Sequence, residues 1–280
     1  AGQLMNTSLT LLSPAKLNLF LHITGRRPNG YHELQTLFQL LDWGDRLGFT
    51  ANNSGVVSLA GPDLGIPLED NLIYRAAKLL QRGPLGAHIT LDKRSPTGGG
   101  LGGGSSNAAT TLLALNRLWR LDLPRAELQA MGATLGADVP VFVYGHSAWA
   151  EGVGEILTAV DLPERWYLVI APDCHVATGE IFSHIQLTRN TSPIKIAAFF
   201  EGDSRNDCQP LARSLFPEVD EALSWLESYG EARLTGTGAC VFASFDSEAA
   251  AGAVFAQLPQ DWTAFMARGL NVSPVITALY

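Results

Sequence analysis

Cysteine is scarce. Cys174, Cys208 and Cys240 are the only three in 280 residues, odd in number and widely spaced. That excludes a disulfide framework and a spaced zinc motif, and it fits a reduced cytoplasm. Charge is sparse as well, at 16% of residues, with no long block of one sign. Hydrophobic residues make up 46%, so a disordered or polyelectrolyte chain is excluded and a sizeable core can be buried. Basic residues are the minority: 19 Lys and Arg against 27 Asp and Glu give a net charge of -8. Nonspecific nucleic-acid binding leans on a basic footprint and is not expected, although a local positive pocket for a small phosphorylated ligand is allowed. No apolar run approaches the roughly 20 residues of a membrane-spanning helix, and the N-terminus lacks a signal-peptide pattern. Met5 is read as the natural start, with residues 1–4 a remnant ahead of it. No membrane, nucleic-acid or obligate protein partner is expected, and the location read from these absences is cytoplasmic.

Glycine, by contrast, is concentrated in one place. Residues 96–107 read PTGGGLGGGSSN, and six of the seven residues from 98 to 104 are glycine. Without a Cβ, many backbone N–H groups can crowd around one object. A run of N–H groups that feeds a helix N-terminus is an anion site, and phosphate is the usual anion. A strand-like stretch at 87–91 leads into this run. A helix-like stretch follows, with Ser105 as the expected N-cap and Ala108, Leu112, Leu115 and Trp119 as its buried stripe. Three readings of the loop compete. Gly98, Gly100 and Gly103 formally match a dinucleotide fingerprint. The acidic residue that this fingerprint wants on a strand end about 20 positions on is Asp122, which falls between two helical stretches. The Walker template nearly fits from Gly98 to Ser105, but Gly104 occupies the lysine position. A flexible linker is the bland reading, and it suits a strand-to-helix junction poorly. On the second reading the loop cradles phosphate by backbone alone, and the missing cation must come from elsewhere.

The rest of the chain divides into two parts. Ala15, Leu17, Leu19, Leu21 and Ile23 alternate with Lys16, Asn18, Phe20 and His22, which predicts a strand. A turn signal at 26–30 and renewed alternation at 33–41, with Leu34, Phe38 and Leu40 on one face, predict a hairpin. Asp70 is expected to cap a helix that carries Leu72, Ala76 and Leu79, and Pro124 to open another ending near Gly136. Beyond residue 161, strands are expected at 167–171, 241–245 and 263–267, and helices at 194–200, 218–228 and 247–257. Mixed elements with few long parallel crossovers predict an α+β fold. The expected units are residues 1–158 and 159–280.

The glycine segment strongly resembles the phosphate loop of the GHMP kinases, the superfamily of galactokinase, homoserine kinase and mevalonate kinase. SPAKLNLFLHITGRRPNGYH at 13–32, LGADVPVF at 135–142 and TGTGACVF at 235–242 resemble the branch that acts on a cytidyl-diphosphate sugar alcohol. The likeness is close over residues 1–150 and weak over 172–228. It implies a two-domain α+β fold, a ribosomal protein S5 domain 2-like N-terminal domain followed by a ferredoxin-like C-terminal domain. It also implies ATP-dependent phosphorylation of the 2-hydroxyl of 4-diphosphocytidyl-2-C-methyl-D-erythritol, a step of the non-mevalonate isoprenoid route.

Site residues follow by position. The loop of Pro96, Thr97, Gly98, Gly99, Gly100, Leu101, Gly102, Gly103, Gly104, Ser105 and Ser106 is assigned to ATP. By resemblance, a serine at 105 or 106 helps to bind Mg²⁺ or a phosphate oxygen. Mg²⁺ is expected to arrive with ATP, because no acidic cluster offers it a cage. Asp138 by itself reads as a helix N-cap before Val139-Pro140; the shared motif makes it the general base. Lys16 reads as a surface lysine by residue type, yet it stands in an apolar strand beside Asn18 and could supply the charge that the loop lacks. The resemblance places it with Asp138 in the catalytic pair, and Asn18 beside the substrate. Tyr31 and His32 would hold the cytosine ring, with Phe182 as the opposite wall and Thr178 nearby. Gly236, Gly238 and Ala239 read equally as a tight turn or as an anion nest; the resemblance favours a nest for the substrate diphosphate. The resemblance also puts Lys93 and Asn71 near the nucleotide. The competing readings are a kinase of another small alcohol, a silent ligand sensor on a kinase fold, and a dinucleotide-dependent oxidoreductase.

Overall fold

The computed structural model describes residues 7–280, so the expectation about Met5 lies outside the described residues. A long hairpin is its spine. β1 (Ser8–Arg26) pairs antiparallel with β2 (His32–Asn52) along nearly its full length, with register breaks between Pro14 and Lys16, between Asn18 and Leu21 and between Ile23 and Gly25. β3 (Val57–Ala60), β4 (Gly86–Asp92), β5 (Ala148–Glu151) and β6 (Ile156–Ala159) extend the N-terminal side of the sheet. β7 (Trp166–Ala171), β8 (Ala232–Leu234), β9 (Val241–Phe245) and β10 (Thr263–Leu270) form the C-terminal side. The sheet order is β3-β4-β2-β10-β7-β9-β8, with β1 and β5 also on β2 and with β6 on β5. Only two residue pairs, Gly269 with Leu41 and Leu270 with Leu40, join β10 to β2 and so connect the two sides.

Helices cover the sheet. α1 (Leu72–Leu80), α2 (Gly103–Leu118), α3 (Arg125–Ala133) and α4 (Val139–Tyr144) lie in the first half. α5 (Thr178–Ser183), α6 (Ile196–Phe200), α7 (Gln209–Leu215), α8 (Pro217–Glu227), α9 (Glu248–Phe255) and α10 (Pro274–Leu279) lie in the second. One core joins β2 and β4 to α1, α2 and α4 through residues such as Phe49, Ile89, Leu112 and Val143. A second joins β7, β8 and β9 to α7 and α8 through residues such as Leu168, Leu223 and Val241. The expected division at 158 and 159 has traffic across it. Leu21 and Ile23 of β1 belong to the second core, while Val275, Ile276 and Leu279 of α10 belong to the first.

Several expectations are corrected. Asn71, not Asp70, caps α1: its side chain accepts from the Ile73 N–H at 2.9 Å. The inward face of α1 is Ile73, Ala76, Ala77 and Leu80, and Leu79 is exposed. α2 starts two residues before Ser105, with Gly102 as its N-cap in the left-handed region at φ 69. This helix has no single stripe, because every residue from Ser106 to Asn116 is buried. Alternation in β1 does not separate an inner from an outer face either. Lys16, Asn18, Phe20 and His22 are as buried as the apolar set: Phe20 and His22 meet Phe199 and Arg205 of the second half, while Lys16 is enclosed by the glycine loop and Asp138.

Candidate active site

A cleft of about 850 Å³ runs between the halves. One wall is the glycine loop, which descends from β4 into α2. Its left-handed positions, Gly98, Gly100 and Gly102, have φ of 69, 80 and 69°. A Cβ on Gly100 would stand 2.3 Å from the Thr235 carbonyl oxygen, and one on Gly102 2.9 Å from the Phe142 ring. The loop's carbonyls are pinned back to the protein. Gly99 O accepts from Cys240 N at 3.0 Å, Gly100 O from Lys16 Nζ at 2.9 Å and Leu101 O from Lys16 N at 2.9 Å. Among the described residues none accepts a hydrogen bond from the backbone N–H groups of residues 98–105. Carbonyls inward and amides unclaimed, at the start of a 16-residue helix, make an anion cradle.

Lys16 supplies the cation beside this loop. It is 2% exposed, and its Nζ donates to Gly100 O and to Asn18 Oδ1 and stands 3.7 Å from Asp138 Oδ2. Burial lowers its pKa below 10.5, and the Asp138 carboxylate opposes that shift. Asn18 is fixed in turn, its Nδ2 donating to Thr36 Oγ1 at 2.9 Å. Asp138 precedes α4, but its side chain makes no capping bond, so its carboxylate is left to Lys16 and the cleft.

At the other end, His32 opens β2 and Phe182 lies near the end of α5, with ring centroids 4.9 Å apart. Tyr31 projects from the preceding turn, 61% exposed. Thr178 lines the cleft, its Oγ1 3.2 Å from Thr237 Oγ1. Three expected residues are not on the wall. Leu101 is buried in the core between the halves, Ser106 is buried with its Oγ 2.8 Å from Ser13 Oγ, and Gly238 lies behind Gly236 and Thr237, which do line the cleft. Ser105, Lys93 and Asn71 line it too.

Sequence reasoning missed Asp45 and Arg189. Asp45 is buried and accepts from Arg94 N at 2.7 Å, Ser95 N at 2.8 Å, Asn107 Nδ2 at 2.9 Å and Lys93 Nζ at 3.0 Å. Burial alone would raise its pKa; these hydrogen bonds and the Lys93 charge outweigh it and hold the carboxyl below 3.8. Asp45 thereby ties β2 to both flanks of the glycine loop, a link across some fifty residues that no local motif signals. Arg189 donates from Nε to His32 Nε2 at 3.0 Å, and it lies in the segment of weakest resemblance. Asp122 sits between α2 and α3 at φ 56, off any strand, so the dinucleotide fingerprint lacks its acidic partner. Among the described residues no group of three or more His, Cys, Asp or Glu is placed to hold a metal.

Known proteins resemble this chain over nearly its whole length. The GHMP kinases N terminal domain model matches residues 71–146, and the GHMP kinases C terminal model matches residues 186–264. A Marinobacter nauticus protein named 4-diphosphocytidyl-2-C-methyl-D-erythritol kinase is 56% identical over 279 residues, covering 97% of each chain. A Vibrio cholerae protein of the same name is 58% identical over 266 residues, covering 94% of this chain and 92% of its own. A crystal structure of 4-(cytidine 5'-diphospho)-2C-methyl-D-erythritol kinase superposes with a TM-score of 0.81 at 34% identity, over 93% of this chain and 99% of its own. With an amide cradle, a buried lysine paired with a carboxylate on the cleft wall and this likeness over nearly its whole length, the chain belongs to the GHMP kinase family, in the branch of the 4-diphosphocytidyl-2-C-methyl-D-erythritol kinases.

Proposed function

We propose that this ATP-dependent kinase transfers a phosphoryl group to the 2-hydroxyl of 4-diphosphocytidyl-2-C-methyl-D-erythritol, in the non-mevalonate route to isoprenoid precursors. The observation that carries the reading is the meeting of Lys16, Asp138 and the amide-lined loop in one cleft, 3.7 Å separating the two charges. Phosphoryl transfer asks for positioning and for neutralisation of phosphate charge more than for covalent chemistry. The N–H groups of residues 98–105 hold phosphate oxygens, and Lys93 adds charge at the loop's edge. Asp138 accepts the hydroxyl proton. Lys16 orients that hydroxyl and stabilises the charge that develops on transfer. Asn18 holds Lys16 in place. The cytosine ring lies against His32, Phe182 and Tyr31, and Gly236 and Thr237 face the diphosphate.

Mg²⁺ neutralises phosphate charge when bound with ATP. The absence of an acidic cluster among the described residues suits an ion held chiefly by phosphate oxygens, with Ser105 the hydroxyl on the cleft wall at the helix start. A cytoplasmic location, and no obligate protein or nucleic-acid partner, go with this reading. No helix among the described residues is long and apolar enough to cross a membrane.

The test is incubation with Mg-ATP and a panel of alcohols, followed by ³¹P NMR and ADP release. A new phosphomonoester formed with the cytidyl-diphosphate sugar alcohol, and not with homoserine or mevalonate, is the expected result. Equal turnover of another alcohol would replace the substrate, and no ADP from any alcohol would favour a silent sensor.

A further inference from the structure

One guanidinium joins the two walls at the substrate end of the cleft. Arg189 is half-buried between α5 and α6. Its Nη2 donates to the carbonyl oxygens of Phe182 at 2.6 Å and His184 at 2.8 Å, and its Nη1 to that of Leu187 at 3.3 Å. Phe182 and His184 stand at the C-terminal end of α5, where helix acceptors lack intrahelical partners, and Leu187 follows in the next turn. The single Nε hydrogen meets His32 Nε2 at 3.0 Å. A guanidinium carries donors only, so His32 Nε2 must accept. A neutral imidazole that accepts at Nε2 carries its hydrogen on Nδ1. Among the described residues His32 Nδ1 has no hydrogen-bond partner. Unlike His22 Nδ1, it is not sealed from solvent, and His32 lines the cleft. Burial first, then the charges of Arg189 and Arg26, lower the His32 pKa below 6.5, which keeps the ring neutral near pH 7.

We propose that Arg189 is a positioning residue: it fixes His32 as an Nδ1–H donor toward the cleft, and so selects a base with a ring-nitrogen acceptor, cytosine, over one with a ring N–H, uracil. The base-selection part rests on the substrate reading above. Cytosine N3 is an acceptor flanked by an amino group and a carbonyl. Uracil N3 carries a hydrogen and would set donor against donor, leaving both unsatisfied in a site closed on one side by Phe182. The same guanidinium holds the Phe182 carbonyl, so the stacking wall and the hydrogen-bonding wall keep a common spacing.

Two measurements test this. In the ligand-free, full-length chain, ¹⁵N NMR of the histidine rings, with His32 assigned by His32→Gln, should show a protonated Nδ1 and an unprotonated Nε2. A dominant Nε2–H tautomer overturns the proposal. With Mg-ATP, the wild-type chain should prefer the cytidyl over the uridyl form of the substrate by about tenfold or more in kcat/KM. Arg189→Met should erase most of that ratio through the KM of the cytidyl substrate, with kcat and the KM for ATP within about threefold. Arg189→Lys, still a donor to Nε2, should keep most of it. A merely structural arginine would impair both bases alike, so an unchanged cytidyl-to-uridyl ratio in Arg189→Met overturns the proposal. Absence of turnover by the wild-type chain overturns the substrate reading and base selection with it, while the NMR result decides the tautomer separately.

Discussion

Lys16 shows how much a single residue's role depends on where the chain puts it. A lysine is rarely fully buried without a partner. Here it is sealed among Gly100, Asn18 and Asp138, and burial lowers its pKa. On the proposed mechanism that cost is offset by a cation whose position does not change. Lys16→Ala and Asp138→Asn are each expected to lower kcat by about 10²–10⁴-fold, the span of a lost proton-transfer or orienting group. ATP binding, which the proposed cradle assigns largely to backbone amides, should change far less. Steady-state kinetics together with ATP titration by calorimetry separate the two effects, and near-normal kcat in either variant would remove it from the catalytic pair.

At the scale of elements, the glycine loop is held in shape from outside. Gly100→Ala would place a Cβ against the backbone of Thr235 and would force an alanine to φ 80. The backbone conformation alone costs about 1–2 kcal/mol, and the clash displaces the loop, so the KM for ATP should rise at least as strongly as stability falls. Thermal unfolding and ATP kinetics on the same variant check this. Asp45 supports the loop from β2. Asp45→Asn is expected to cost about 3–5 kcal/mol in urea unfolding, because it leaves buried donors and Lys93 without their acceptor. The sign with pH follows from the lowered pKa. The unfolded carboxyl binds protons at higher pH than the folded one, so the Asp45 contribution is complete above 3.8 and is lost as pH falls through the lower folded value. The variant should lose that part of the acid slope; an unaltered slope would show that the carboxylate is not what stabilises the loop.

Across the whole molecule, each half borrows from the other. The last helix, α10, returns to the first core through Val275, Ile276 and Leu279, while β1 sends Leu21 and Ile23 into the second. A division near residue 158 is therefore proposed only with this exchange included. Ending the chain at residue 273 should remove about 1.5–3 kcal/mol for each of the three buried side chains. It should also destabilise the N-terminal half, although the cut lies at the far end of the sequence. Hydrogen exchange in α2, against which α10 packs, reads this directly; unchanged protection there would mean that α10 is an ornament of the first core.

Local order was written in the sequence. The glycine loop, the hairpin, the strand before the loop and the helix after it follow from periodicity, turn residues and missing side chains, all local properties. The pairing of Lys16 with Asp138 was suggested only by a resemblance in motifs, because nothing local makes a lysine on β1 and an aspartate before α4 meet. Tertiary structure decided the rest. Both faces of β1 are buried because the glycine loop closes over it at Lys16 and the second half of the chain at Phe20 and His22, and no alternation pattern can announce that. Asp138 is released from its capping role by a backbone turn that its sequence does not distinguish. Asp45 and Arg189 act through partners far away in the chain or on another element, and such long-range hydrogen bonds leave no spacing to read. Sequence determined the amide-lined glycine loop proposed to hold phosphate, since that is built from backbone; packing decided which side chains stand around it.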